Sequence, residues 1–150
     1  MTRYRVNRSR TINAPPSKVY GVLADYRTHH PKIVPPEYFL KLEVIEGGIG
    51  AGTRTRLTMR VLGVTKEFEH VISEPEHGRV LIESDIDGSS ATRFTVDRGN
   101  SDTTTHLTIA TELETRPGLT GFIERVMTSI ILRRIYRKEL ALIETYLARP

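Results

Sequence analysis

Apolar and polar residues alternate from the first few positions of the chain. Tyr4, Val6 and Ile12 share one parity across residues 3–13, and the run stops at Asn13-Ala14-Pro15-Pro16. That pattern predicts a strand with one covered face. Arg8 and Arg10 fall on the same parity, so either a bulge shifts the register or one arginine turns toward whatever the strand covers. Paired prolines suit a helix start, where a missing N–H costs little. Val19, Val22, Leu23 and Tyr26 then mark a short helix to about Asp25. The next stretch, residues 27–37, holds three prolines and predicts an elbow with room for one short helical turn.

From Tyr38 to about Thr111 the period is two. Leu40, Leu42 and Val44 alternate with Lys41 and Glu43, and the run ends in the glycine-rich stretch Gly47–Gly52. Thr53 to Val61, Phe68 to Ile72, Val80 to Ser84, Thr92 to Val96 and Thr105 to Thr111 repeat the alternation, separated by Gly63, Pro75–Gly78, Asp87-Gly88 and Gly99–Asp102. Six strands joined by tight turns predict an antiparallel meander with one apolar face.

Beyond Pro117-Gly118 the period becomes helical to about Ala148. Thirty residues at about 1.5 Å each span roughly 45 Å, the width of a whole sheet. Leu119, Phe122, Ile123, Val126, Met127, Ile130 and Ile131 form its first apolar face, continued by Ile135, Leu140, Leu142, Ile143, Tyr146 and Leu147. The order is strand, short helix, six strands, long helix, an α+β arrangement. The long helix has only the apolar face of the sheet on which to bury its stripe.

Composition narrows this further. With 150 residues, 38% of them apolar, one domain spanning 1–150 is expected. The absence of cysteine excludes a disulfide scaffold and thiol catalysis. Met1-Thr2-Arg3-Tyr4-Arg5 contains no apolar leader, and no apolar run approaches a membrane span; a cytoplasmic protein is expected. Lys and Arg number 22 against 18 Asp and Glu, a net +4 that permits transient contact with an anionic membrane but does not require it.

The segment Ile12-Asn13-Ala14-Pro15-Pro16-Ser17-Lys18-Val19-Tyr20-Gly21-Val22-Leu23-Ala24-Asp25, the proline-bearing elbow, and Gly50-Ala51-Gly52 before a strand resemble the START/Bet v 1-like (SRPBCC) superfamily. Its polyketide cyclase/dehydrase branch is the most similar, and the resemblance runs from about Tyr4 to Leu147. Where that family often carries Trp before the elbow proline, this chain has His30 before Pro31. The resemblance implies a helix-grip: a seven-stranded curved antiparallel sheet wrapped around a long C-terminal helix, with short helices after strand 1. It also implies an elongated hydrophobic cavity. Members bind lipids, sterols, polyketides or quinones, and some cyclise or dehydrate polyketides.

The inward parity supplies the candidate lining. It comprises Leu57, Met59, Phe68, His70, Ile82, Thr92, Phe94, Leu107 and Ile109 from the sheet, with Phe122, Val126, Met127 and Ile130 facing them from the helix. Thr53, Thr55, Ser84, Thr105 and Thr111 interleave with these, and a dry core should not hold so many hydroxyls. His70 is the candidate for acid–base work, against the plainer reading of a packed core histidine, since the pattern places no acid beside it. His29-His30 and the scattered glutamates near residue 70 do not have metal-ligand spacing. No metal or cofactor is implied.

Gly47–Gly52 leads into a strand rather than a helix, which argues against a phosphate cradle and for a gating loop at a cavity mouth. Arg54, Arg56 and Arg60 form an outward basic stripe without interleaved aromatics, so nucleic acid is disfavoured. The expected function is binding a small hydrophobic ligand for carriage or sensing. The alternatives are a polyketide cyclase/dehydrase-type enzyme in the same cavity, or an interaction module of the quinone-chaperone or ribosome-associated kind. The pattern is compatible with a monomer or a dimer.

Overall fold

The computed structural model describes residues 1–149. β1 (Thr2–Ile12) buries Tyr4, Val6 and Ile12. It pairs with β7 (Thr105–Thr115) from Thr2↔Thr115 to Ile12↔Thr105 without a register shift. No bulge therefore relieves the parity conflict at the arginines. Arg10 instead reaches Glu144 of the C-terminal helix in a bidentate pair at 3.1 and 3.2 Å. Arg8 stays exposed, and neither arginine lines the cavity.

α1 (Pro16–Ala24) opens at Pro16, preceded by Pro15 in extended geometry, and buries Val19, Tyr20, Val22 and Leu23. At its end the Asp25 carboxylate accepts the backbone N–H groups of Arg27 and Thr28 at 3.1 and 2.9 Å, bending the chain into the elbow. A single 3-10 turn, His30–Lys32, follows with Pro31 inside it.

The remaining strands are β2 (Phe39–Glu46), β3 (Arg54–Val61), β4 (Val64–Glu76), β5 (Val80–Asp85) and β6 (Ser90–Arg98). Spatial order is β1-β7-β6-β5-β4-β3-β2, every pairing antiparallel, so the meander closes on β1 as its last neighbour. With α2 (Gly118–Leu147) this is the helix-grip architecture. The outward arginines are largely balanced: Arg56 lies 3.7 Å from Glu43, its cross-strand partner, and Arg54 lies 3.6 Å from Glu69. No helix among the described residues is long and apolar enough to cross a membrane.

Two expectations about the helix and the glycine-rich loop are corrected. The apolar stripe of α2 exists, but only its second half buries it, at Ile135, Tyr136, Leu140 and Ile143; the first half meets the sheet through Gly121 O, which accepts the Thr115 hydroxyl, and through Arg125 over the Tyr4 ring. Phe122, Val126, Met127 and Ile130 are all exposed, as are Leu119 and Ile123. The helix lies chiefly along β1 and β7 at one edge of the sheet, and of its residues only Leu132, Ile135, Tyr136 and Glu139 line the concave space.

No residue of Gly47–Gly52 lines the cavity. The loop is fastened to the end of α1 and to β4: Tyr26 N–H donates to Gly48 O at 2.8 Å, Gly50 N–H to Ala24 O at 2.9 Å, and Ala51 N–H to Glu74 Oε1 at 2.7 Å. Gly50 sits at φ 65°, and a Cβ there would stand 2.3 Å from Glu74 Oε1, so only glycine fits this latch.

Candidate active site and ligand cavity

A cavity of about 160 Å³ lies between the sheet and residues 132–139 of α2. Val34 and Phe39, with Leu42, Leu57, Met59, Phe68, Phe94, Leu113, Leu132 and Ile135, make most of the wall. His30, Thr55, His70, Glu83, Asp85, Ser90, Thr92, Thr111, Tyr136 and Glu139 supply its polar groups. No lysine or arginine is among the lining residues.

Of the residues expected from parity, Leu57, Met59, Phe68, His70, Thr92 and Phe94 line this space. Leu107 and Ile109 do not; they are fully buried in the packed core beneath it. Phe122, Val126, Met127 and Ile130 do not line it because their half of α2 is uncovered. Ile82 faces the other side of the sheet, beside Arg5, Ala91 and Arg93.

The β5 reversal has a local cause. Pairings His70↔Asp85 and Ile72↔Glu83 continue on the next strand as Glu83↔Thr92 and Leu81↔Phe94. A register shift between Ser73 and Glu76 lets Val80 enter one step out of phase. Leu81, Glu83 and Asp85 therefore share the concave face, and two carboxyl groups point where Ile82 was expected.

The polar groups fall into three clusters, two of them built on these carboxyls. In the first, His70 Nε2 stands 3.2 Å from Asp85 Oδ1, and Asp85 Oδ2 accepts the hydroxyls of Ser90 at 2.7 Å and Ser89 at 3.2 Å. Burial alone would lower the His70 pKa; the Asp85 hydrogen bond and the charges of Glu83 and Asp85 outweigh it and leave the pKa raised. Burial likewise opposes ionisation of Asp85, but His70 and the serines hold its carboxyl below the ordinary aspartate range.

In the second cluster, Tyr26 donates its hydroxyl to Glu83 Oε2 at 2.7 Å. His30 stacks on Tyr26 with ring centres 4.3 Å apart, and its Nδ1 lies 2.7 Å from Leu23 O. A carbonyl only accepts, so Nδ1 carries a proton. His30 Nε2 is then the atom turned toward Glu83, at 3.5 Å. His29 goes elsewhere: its Nδ1 is 2.6 Å from the Tyr146 hydroxyl, so the adjacent histidines diverge. In the third cluster, Thr92 and Thr111 share a hydrogen bond at 2.8 Å, and Thr111 joins Tyr136.

Two polar groups stand outside these clusters. Thr55 Oγ1 is buried without a hydrogen-bond partner. Glu139, only 3% exposed, has no hydrogen bond or ion pair among the described residues. Burial pushes its carboxyl well above the ordinary glutamate range, and repulsion from Glu83 adds to that.

Tyr26, His30, Glu83, Asp85, Tyr136 and Glu139 were absent from the sequence-derived lining. Glu139 had a usable signal: it lies three residues after Tyr136 and four before Ile143, on the buried stripe of α2. His30 also had one, standing where the resembling family often has Trp.

With this geometry established, comparison with known proteins places the chain. Residues 3–148 match the family described as polyketide cyclase/dehydrase and lipid transport, and the chain belongs to that family, within the START/Bet v 1-like superfamily. No curated protein matches it.

Among solved structures, the KanY protein studied by NMR in solution is 25% identical, with a TM-score of 0.83, covering 99% of this chain and 100% of that one. The Zhui aromatase/cyclase from Streptomyces sp. R1128 is 20% identical with a TM-score of 0.78, over 97% and 93% of the two chains. A START superfamily protein from Mycobacterium smegmatis is 13% identical with a TM-score of 0.74, over 95% of each. The likeness to the latter two is one of fold.

Proposed function

We propose that this chain binds a small hydrophobic molecule in the cavity between the sheet and the second half of α2, for carriage or sensing in the cytoplasm. The observation that carries the reading is a mainly apolar cavity whose wall leaves a hydroxyl, Thr55, and a carboxyl, Glu139, unpartnered. A packed core satisfies such groups, whereas a binding site keeps them for a ligand. The cavity volume of about 160 Å³ is near the roughly 150 Å³ that accommodates benzene in an engineered cavity. It therefore takes one ring or a short chain. Apolar contact contributes about 25 cal/mol per Å² before ordering costs.

Native mass spectrometry of protein purified gently from its own host, followed by extraction, tests this. A stoichiometric organic adduct is expected. A bare mass that persists with hydrophobic candidates in excess refutes the reading.

The His70–Asp85 pair favours a second reading, a cyclase/dehydrase-type enzyme. An imidazole held by a buried carboxylate in a ligand cavity can move a proton at a carbonyl-activated carbon. His70→Ala separates the two: a carrier loses modest affinity, and an enzyme loses most of its turnover.

A further inference from the structure

The carboxyl groups of the wall set a requirement that the chain does not meet itself. Asp85 is matched by His70, Ser89 and Ser90. Glu83 receives the Tyr26 hydroxyl at 2.7 Å and has His30 Nε2 at 3.5 Å. Glu139 faces the same cavity from α2 with no hydrogen bond or ion pair among the described residues, and no lysine or arginine lines the space. A buried carboxyl pair without a counter-charge is the arrangement that a ligand cation completes.

Resting on the ligand-binding reading above, we infer that the occupant of this cavity is an amine, its nitrogen seated between Glu139 and Glu83 and its apolar part against Leu57, Phe68 and Phe94. An ammonium group has three donors and one positive charge, enough to pair with Glu139 and hydrogen-bond Glu83 at once. A carboxylate, phosphate or sulfate would instead bring a like charge beside Glu139 and Glu83, in a wall without lysine or arginine to receive it. An alcohol has a single donor and does not take the Glu139 proton, so it can satisfy one carboxyl oxygen but not bridge the two carboxyls.

Proton accounting is consistent with this placement. Burial and the repulsion from Glu83 keep a proton on the empty Glu139 carboxyl. A neutral amine arriving there takes that proton, so ammonium and carboxylate form together and no net charge is added to the wall. The other titratable groups facing the pair are Tyr26 and His30 from the α1 end and elbow, Asp85 and His70 from β5 and β4, and Tyr136 from α2. None of them is a lysine or arginine that would compete with the ligand for the carboxyls.

The test is an NMR titration of the ¹⁵N-labelled protein with three probes of equal length, n-hexylamine, 1-hexanol and hexanoate, followed through amides on β3, β4, β6 and α2. Hexylamine is expected to bind at least about tenfold more tightly than hexanol, the factor that 1.4 kcal/mol represents. Hexanoate is expected to bind most weakly. In Glu139→Gln, which keeps the shape of the protonated carboxyl, the advantage of hexylamine over hexanol should fall by about tenfold while hexanol binding is retained. Glu83→Gln serves as the second variant should the first fold poorly.

Hexanol or hexanoate binding as tightly as hexylamine overturns the amine assignment and leaves ligand binding intact. An amine preference unchanged in both glutamine variants overturns it too. Failure of all three probes to shift any cavity amide overturns the ligand-binding reading with it.

Discussion

Replacing Glu139 with glutamine should stabilise this protein, and by an amount that grows with pH. The side chain is 3% exposed, without a partner, and close enough to Glu83 to be repelled by it. Its carboxyl therefore stays protonated in the folded state well above the ordinary glutamate range. In the unfolded chain it ionises near pH 4.3. Above that pH the folded state binds the extra proton, so stability falls as pH rises, by about 1.4 kcal/mol per unit until the folded pKa is reached. Glutamine has the same shape and no proton to hold, which removes that slope.

The difference between the variant and the parent should widen with rising pH, by up to about 1.4 kcal/mol per unit, and level off once the folded pKa is passed. His70 adds a pH dependence of its own. Its pKa is raised, so its contribution is complete below about pH 6.5 and is lost as pH rises through the folded value. Both proteins carry it, and the subtraction removes it. Urea unfolding followed by circular dichroism at pH 5, 6 and 7 measures the effect. Parallel curves for the two proteins, or a variant less stable throughout, would show that Glu139 is ionised or partnered and sink the argument.

Asp85→Asn should lower the His70 pKa, because the aspartate is what outweighs the burial of the ring; a two-dimensional NMR titration of the histidine ring protons would show an unmoved midpoint if that cause is wrong. Gly50→Ala should cost about 1–3 kcal/mol, since φ there is 65° and the new Cβ would meet Glu74 Oε1; the urea midpoint reports it. Phe94→Ala, at a fully buried position, should cost about 3–5 kcal/mol. Val126→Ala should instead stay within about 0.5 kcal/mol because that side chain is exposed, and comparable losses at both sites would mean that the first half of α2 is packed in solution.

The fold was legible because alternation and turn chemistry agreed along nearly the whole chain. β6 and β7 fell in phase with their parity, and Pro15-Pro16 and Pro117-Gly118 marked both helix starts. The cavity was legible only where apolar parity was unambiguous, at Leu57, Met59, Phe68 and Phe94. On β5, Val80 and Ile82 compete with Leu81 for the inward face, and the ordinary rule turns Glu83 and Asp85 outward. The bulge before β5 decides otherwise, and the alternation within the strand holds no trace of it. Helical periodicity placed the stripe of α2 but not how far it slides over the sheet, so Phe122 and Ile130 were assigned a contact that only residues from about 132 onward make.

Both misplacements bear on function, because the groups that local rules would have sent to solvent are the ones with chemistry. Three of the polar clusters are satisfied within the chain: Asp85 by His70 and two serines, Glu83 by Tyr26, and Thr92 through Thr111 to Tyr136. Each is compatible with a purely structural role, since a fully bonded polar network can rigidify a core. Glu139 is not. It contributes no bond, is repelled by Glu83, and lowers stability at neutral pH. Leucine or glutamine at that position would serve the fold better. A residue that weakens the folded state and faces a cavity is explained by what fills the cavity, so stability and binding should move in opposite directions when Glu139 is replaced.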